Sequence, residues 1–137
     1  MIPDIALSGL PIHHIGIAVH SIATEKPTFE RISGATSSPI EEVAAQQVRV
    51  TFIGALELLE PTGPESTIAR FLERRGPGLH HVAYASDDIE AELARLAESG
   101  FRLIDSAPRP GAHGHRVAFL HPASTGGVLI ELVEESN

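Results

Sequence analysis

The chain contains no cysteine, which excludes a disulfide framework, a thiolate zinc site and cysteine nucleophiles together. Cations are scarce: ten Lys and Arg stand against eighteen Asp and Glu, a formal net charge of −8. So acidic a chain repels a phosphate backbone, which excludes nucleic acid as a partner, although a local basic patch can still take a small anion. Long apolar runs are missing too. The longest uncharged stretch, Ile5 to Thr24, is broken by Gly9, Pro11, His13, His14, Gly16 and His20, so no membrane-crossing helix is expected from it. The opening Met1-Ile2-Pro3-Asp4 carries none of the basic residues of a secretory leader, and a cytoplasmic protein is the expectation. What remains is ordinary for a globular domain, with 42% hydrophobic residues over 137 positions. Histidine is the exception: there are eight, four of them in two adjacent pairs.

Around the first pair, His14, Gly16 and Ala18 alternate with Ile15, Ile17 and Val19, the period of a strand with small residues beside its histidine. In this register His13 points away from His14, as His80 does from His81. Ser21 to Ile32 reads as a helix, capped by Ser21 or Thr24, that tolerates Pro27 only in its first turn. Strands are expected from Pro39 to Glu60 around a tight turn at Gly54, and Ser66 to Arg75 as a short amphipathic helix with Arg70, Arg74 and Arg75 on its solvated face. The design then restarts. Leu79 to Ala85 puts His81, Ala83 and Ala85 on one face, Asp87 and Glu90 form a capping box for a helix, and strands follow near Phe101 to Ile104, Arg116 to Leu120 and Val128 to Val133. Ala107 to His115 reads as a loop.

The two halves resemble each other. His14-Ile-Gly-Ile-Ala-Val recurs as His81-Val-Ala-Tyr-Ala-Ser, 81 − 14 = 67 residues later, and Glu57-Leu-Leu-Glu recurs as Glu131-Leu-Val-Glu, 131 − 57 = 74 later. The expected fold is α+β: two βαβββ modules, about 10–63 and 77–135, within a single domain of residues 10–135, joined by the helix near 66–75. A lone strand histidine is usually structural and a lone strand glutamate means little, but a His…Glu, His…Glu pattern placed twice on equivalent elements points to a shared site. Four nitrogen and oxygen donors without sulfur suit a divalent ion such as Co, Mn, Zn, Ni or Fe and leave positions open for substrate. The metal ligands are thus His14, Glu57, His81 and Glu131. A two-histidine, one-carboxylate iron dioxygenase is disfavoured by the fourth ligand.

Ile12-His-His-Ile-Gly-Ile-Ala-Val, Leu58-Leu-Glu-Pro, Gly78-Leu-His-His-Val-Ala, Phe119-Leu-His-Pro and Gly127-Val-Leu-Ile-Glu-Leu resemble the methylmalonyl-CoA epimerases of the vicinal oxygen chelate, or glyoxalase-like, superfamily. The resemblance spans about residues 10–134 and implies the same four ligands, with cobalt favoured among the ions. It implies an acyl-CoA substrate, a homodimer, and interconversion of (R)- and (S)-methylmalonyl-CoA by α-proton removal through a metal-stabilised enediolate. Family members often carry Gln-Gly-Val before the central hairpin, and some have a basic glutamate two residues beyond that valine. Here the segment is Gln46-Gln47-Val48, Val50 stands at the glutamate's position, and the hairpin around Gly54 is several residues shorter than usual. Glu131 and Glu57 remain the candidates for the catalytic base. Arg109, His113 and Arg116 are candidate substrate contacts, with the Gly111 to Gly114 loop beside them. The alternatives are a glyoxalase I-like lyase acting on a thiol hemithioacetal, and a metal-free binding protein of the same fold.

Overall fold

A computed structural model describes residues 9–136 of the chain. Met1-Ile2-Pro3-Asp4, on which the expectation of no leader rests, lies outside the described residues. Among these, no helix is long and apolar enough to cross a membrane.

The sheet has eight strands in the order β2-β3-β4-β1-β5-β8-β7-β6 and curves until it is nearly closed, as expected of the α+β class. Its centre is the antiparallel pair β1 (Ile12–Ala18) and β5 (Gly78–Ala85). Outward from β1, β4 (Leu56–Pro61) runs parallel and then β3 (Val48–Ile53) and β2 (Glu41–Val43) antiparallel. Outward from β5, β8 (Ile130–Glu134) runs parallel and then β7 (Arg116–Leu120) and the two-residue β6 (Arg109–Pro110) antiparallel. The same order on both sides of β1·β5 makes the halves equivalent in topology.

Period-two alternation sorts side chains between the two faces. On the outer face Leu58 and Ile53 pack with Val19 and Ile22 under α1 (Ile22–Ser33), while Leu132, Ala118 and Leu120 pack with Ile89, Leu93 and Leu96 of α3 (Ile89–Glu98). On the inner face Ala18, Val48, Val50 and Leu59 meet Ile68 and Leu72 of α2 (Thr67–Arg75). Leu59 and Val133 thus alternate with residues turned outward, and Glu57 and Glu131 fall on the inner face with them.

Several local expectations are corrected. Pro27 lies inside α1 and not in its first turn. The helix survives this because Ser21 caps its start, Gly34 closes its end in the left-handed region at φ 74°, and Ile22 and Phe29 bury against the sheet. The cap of α3 is Asp88, whose carboxylate accepts the Ala91 N–H, and not Asp87; the Glu90 carboxylate turns instead to Arg116. The strand expected near Phe101 to Ile104 is reduced to one bridge, Leu103 with Leu120. A short strand at Arg109–Pro110 occupies part of the segment read as loop.

Leu58 is fully buried between α1 and the sheet. Leu58→Ala is expected to lower the free energy of unfolding by about 2–5 kcal/mol, read as a shifted urea midpoint at unchanged slope.

Candidate metal centre

Two neighbouring rows of the sheet build the site. In one, Glu57 of β4 lies beside Gly16 of β1, which lies beside His81 of β5. In the other, His14 of β1 lies beside Ala83 of β5, which lies beside Glu131 of β8. Each row therefore takes its histidine from one half and its glutamate from the other, separated by a residue too small to fill the space. Gly16 has to be glycine, because a Cβ there would fall on the His81 imidazole.

All four side chains are buried, at 4–6% exposure, and their donor atoms lie within 4.8 Å of one another. His14 Nε2 is 3.0 Å from His81 Nε2, 3.3 Å from Glu57 Oε1 and 3.1 Å from Glu131 Oε1. His81 Nε2 is 3.3 and 3.0 Å from the same two oxygens. Donors about 2.0–2.2 Å from a common ion stand roughly 3.0–3.5 Å apart, so these separations fit one cation. Glu131 Oε1 is buried and no N–H lines up on it, and two imidazole nitrogens face each other at hydrogen-bond distance. Such an arrangement costs free energy unless a positive charge sits among the donors. The residues present therefore fit a divalent metal.

The charges of the four groups are coupled. Burial alone would lower the His81 pKa, but the Glu131 and Glu57 carboxylates outweigh it and raise it to about 9; His14 is raised by the same balance. Burial alone would raise Glu131, but His14 and His81 outweigh it and hold its pKa at about 2, and Glu57 is lowered likewise.

The first histidine of each pair, His13 or His80, does not point away from its neighbour as the alternation implied. The register of β1 against β5 shifts between Ile12 and His14 and again between Gly16 and Ile17, opposite His80. These bulges turn both members of each pair to one side. His13 Nδ1 lies 2.7 Å from His14 Nδ1, and His80 Nδ1 lies 2.8 Å from His81 Nδ1. Burial first, and then the charge on His81, push the His80 imidazole down to about 4.

A cavity of about 580 Å³ opens on the His81 side, bordered by His80, His81, Thr67, Arg74, Arg109 and Phe119. Arg109 stacks on Phe119, with its guanidinium carbon 5.2 Å from the ring centre, and its buried Nε lies 3.4 Å from the Asp105 carboxylate. An adjoining hollow is walled by Arg70, Arg74, Arg75 and Phe71. The cluster read as a merely solvated face thus also lines a hollow, which neither helical period nor charge could reveal. His113 does not border this cavity: its ring packs against Phe52 and its backbone N–H donates to Glu41. Arg116 is not brought to the site: Glu90 and Glu134 hold its guanidinium beside α3. Val50 is buried next to His14, Glu57 and Glu131.

A curved, duplicated sheet with two histidines and two glutamates on its inner face defines a class. Residues 13–119 match the family described as the Glyoxalase/Bleomycin resistance protein/Dioxygenase superfamily, and the chain belongs to it. Within that superfamily the chain is 38% identical over 127 residues to the ethylmalonyl-CoA/methylmalonyl-CoA epimerase of Cereibacter sphaeroides, covering 88% of this chain and 95% of that one. It is 41% identical to an uncharacterized protein of Bacillus subtilis, covering 90% of this chain and 91% of that protein. A Streptomyces coelicolor methylmalonyl-CoA epimerase variant, solved with 2-nitronate-propionyl-CoA, superimposes with a TM-score of 0.89 at 34% identity, covering 94% of this chain and 96% of that one.

Gly16→Ala is expected to displace the His81 ring, weakening cobalt binding in a calorimetric titration and destabilising the fold by about 1–3 kcal/mol. Without metal, stability should depend on pH in a defined way. Glu131, depressed from 4.5 to about 2, contributes fully above 4.5 and loses this as pH falls toward 2. His81, raised from 6.5 to about 9, contributes fully below 6.5 and loses this as pH rises through 9. Melting of metal-free protein should therefore be highest between about pH 4.5 and 6.5 and decline from there toward pH 9.

Proposed function

We propose that the chain interconverts (R)- and (S)-methylmalonyl-CoA by removing and returning the α-proton, with a divalent metal held by His14, Glu57, His81 and Glu131. Epimerase as the enzyme class is supported by its relatives. The observation that carries the reading is the convergence of four buried donors beside a cavity whose walls hold the cations an acyl-CoA needs. A divalent ion there would supply positive charge for the oxygen charge that develops when the α-proton leaves.

The protein's residues account for the rest. Arg109, which borders the cavity while its Nε pairs with Asp105, and Arg74, with Arg70 and Arg75 beside it, offer guanidinium donors to the phosphates and carboxylate of the substrate. They concentrate positive charge locally in a chain of net charge −8. Phe119 and Leu129 give the acyl and pantetheine chain apolar walls. His113, packed against Phe52, and Arg116, whose guanidinium is held by Glu90 and Glu134, lie away from this cavity. Val50 offers no base, so the proton passes to a carboxylate of the four. Glu131 and Glu57 are the two candidates, each with its Oε1 about 3.0–3.3 Å from both His14 Nε2 and His81 Nε2. Residues 10–135 act as one domain, since neither half alone supplies a complete row. Cobalt as the ion and a homodimer as the assembly follow the family resemblance, and the cytoplasm as the compartment follows the sequence reading.

The reading is tested by proton NMR of cobalt-loaded protein with methylmalonyl-CoA in deuterated water. Loss of the α-proton signal far faster than background, and abolished by a chelator, is the expected result. Exchange at the background rate with metal bound would overturn it and turn attention to hemithioacetals; a protein that takes up no cobalt or zinc would favour the metal-free binding protein. Glu131→Gln separates the roles of that residue: metal retained with exchange lost marks a base, whereas loss of metal marks a ligand only.

A further inference from the structure

The duplicated strands supply equivalent ligands, but the histidines behind them lead to different places. Behind His81, His80 borders the cavity with Arg74. Behind His14, His13 reaches a carboxylate, its Nε2 lying 3.2 Å from Glu135 Oε1. The proton count along this second line is fixed by chemistry. A His14 that gives its Nε2 lone pair to a cation keeps its proton on Nδ1. That N–H points at His13 Nδ1, 2.7 Å away, which must then be unprotonated. The His13 proton consequently sits on Nε2 and faces Glu135.

We propose that His13 and Glu135 form a positioning relay that locks His14 in its Nε2-donor form and strengthens it as a ligand, the carboxylate acting on the metal only through His13. This rests on the reading of His14, Glu57, His81 and Glu131 as a metal site. It extends the general behaviour of ligating imidazoles, whose second nitrogen is usually held by a carboxylate or carbonyl, to a case where another imidazole is interposed. A second ion is the competing reading, because donor atoms of His13, His115 and Glu135 lie within 4.8 Å of one another. The hydrogen bonds oppose it. His115 Nδ1 accepts the Ser136 N–H at 3.0 Å, so its proton is on Nε2, and neither imidazole has a lone pair left for a cation.

The test compares the full chain with Glu135→Gln, His13→Phe and the double variant, measuring cobalt affinity by competition with a chromophoric chelator, cobalt stoichiometry, and the visible cobalt spectrum. Glu135 is largely exposed, at 62%, so Glu135→Gln leaves the fold intact. The expected results are one cobalt per chain, a loss of affinity of about tenfold or more in Glu135→Gln with a shifted spectrum, at least as large a loss in His13→Phe, and no further loss in the double variant. Unchanged affinity in Glu135→Gln would overturn the relay while the metal site stands. An effect of Glu135→Gln that persists undiminished in the His13→Phe background would overturn it as well, leaving a plain surface-charge effect. Two cobalt ions per chain, with one lost in Glu135→Gln, would replace the relay by a second site. A wild-type chain that binds no cobalt would overturn the metal reading and the relay with it.

Discussion

Two imidazoles and two carboxylates are buried against one another, with little water to solvate them, and this obligation orders the middle of the molecule. Isolated, any one of the four would be neutralised or expelled. Together they form a set whose members shift one another, the carboxylates down and the imidazoles up. Such a set needs close and invariant spacing. The sheet provides it through rows in which only Gly16 or Ala83 separates a histidine from a glutamate. The outer clusters under α1 and α3 supply the burial that keeps those rows in register.

The curvature of the sheet then divides the labour. One side of the four donors is closed by Val50, Phe52 and Gln46 in a space of about 20 Å³, too tight for a substrate. The other side opens past His81 into the large cavity, where the cations are. Approach is thus directed to one face although the ligand set itself is nearly symmetric. The bulk of Val50 belongs to the closed side.

The halves, the histidine strands and the glutamate strands were legible because each rests on period-two alternation over apolar residues, repeated at a nearly constant offset. What could not be read depends on pairing. The turning of His13 and His80 toward their neighbours comes from bulges in β1·β5, and a bulge is a relation between two strands. The same holds for Arg116, which alternation assigns to no partner but which meets Glu90 and Glu134 once α3 docks. Pro27 argued against a helix continuing past its first turn, yet caps at both ends and the burial of Ile22 and Phe29 outweighed it. Phe101 to Ile104 has strand composition, but only Leu103 finds a partner.

The crossing of halves within each row also bears on ancestry. A chain of half this length, carrying one histidine strand and one glutamate strand, could not assemble the centre by itself. Two copies paired through their first strands would assemble it once, on the two-fold axis of a homodimer, where both sides are necessarily alike. Joining two such copies into one polypeptide removes that identity. Positions that such an axis would make alike are then free to differ, and here the pair behind the ligands does differ: His80 borders the cavity and His13 faces the Glu135 carboxylate.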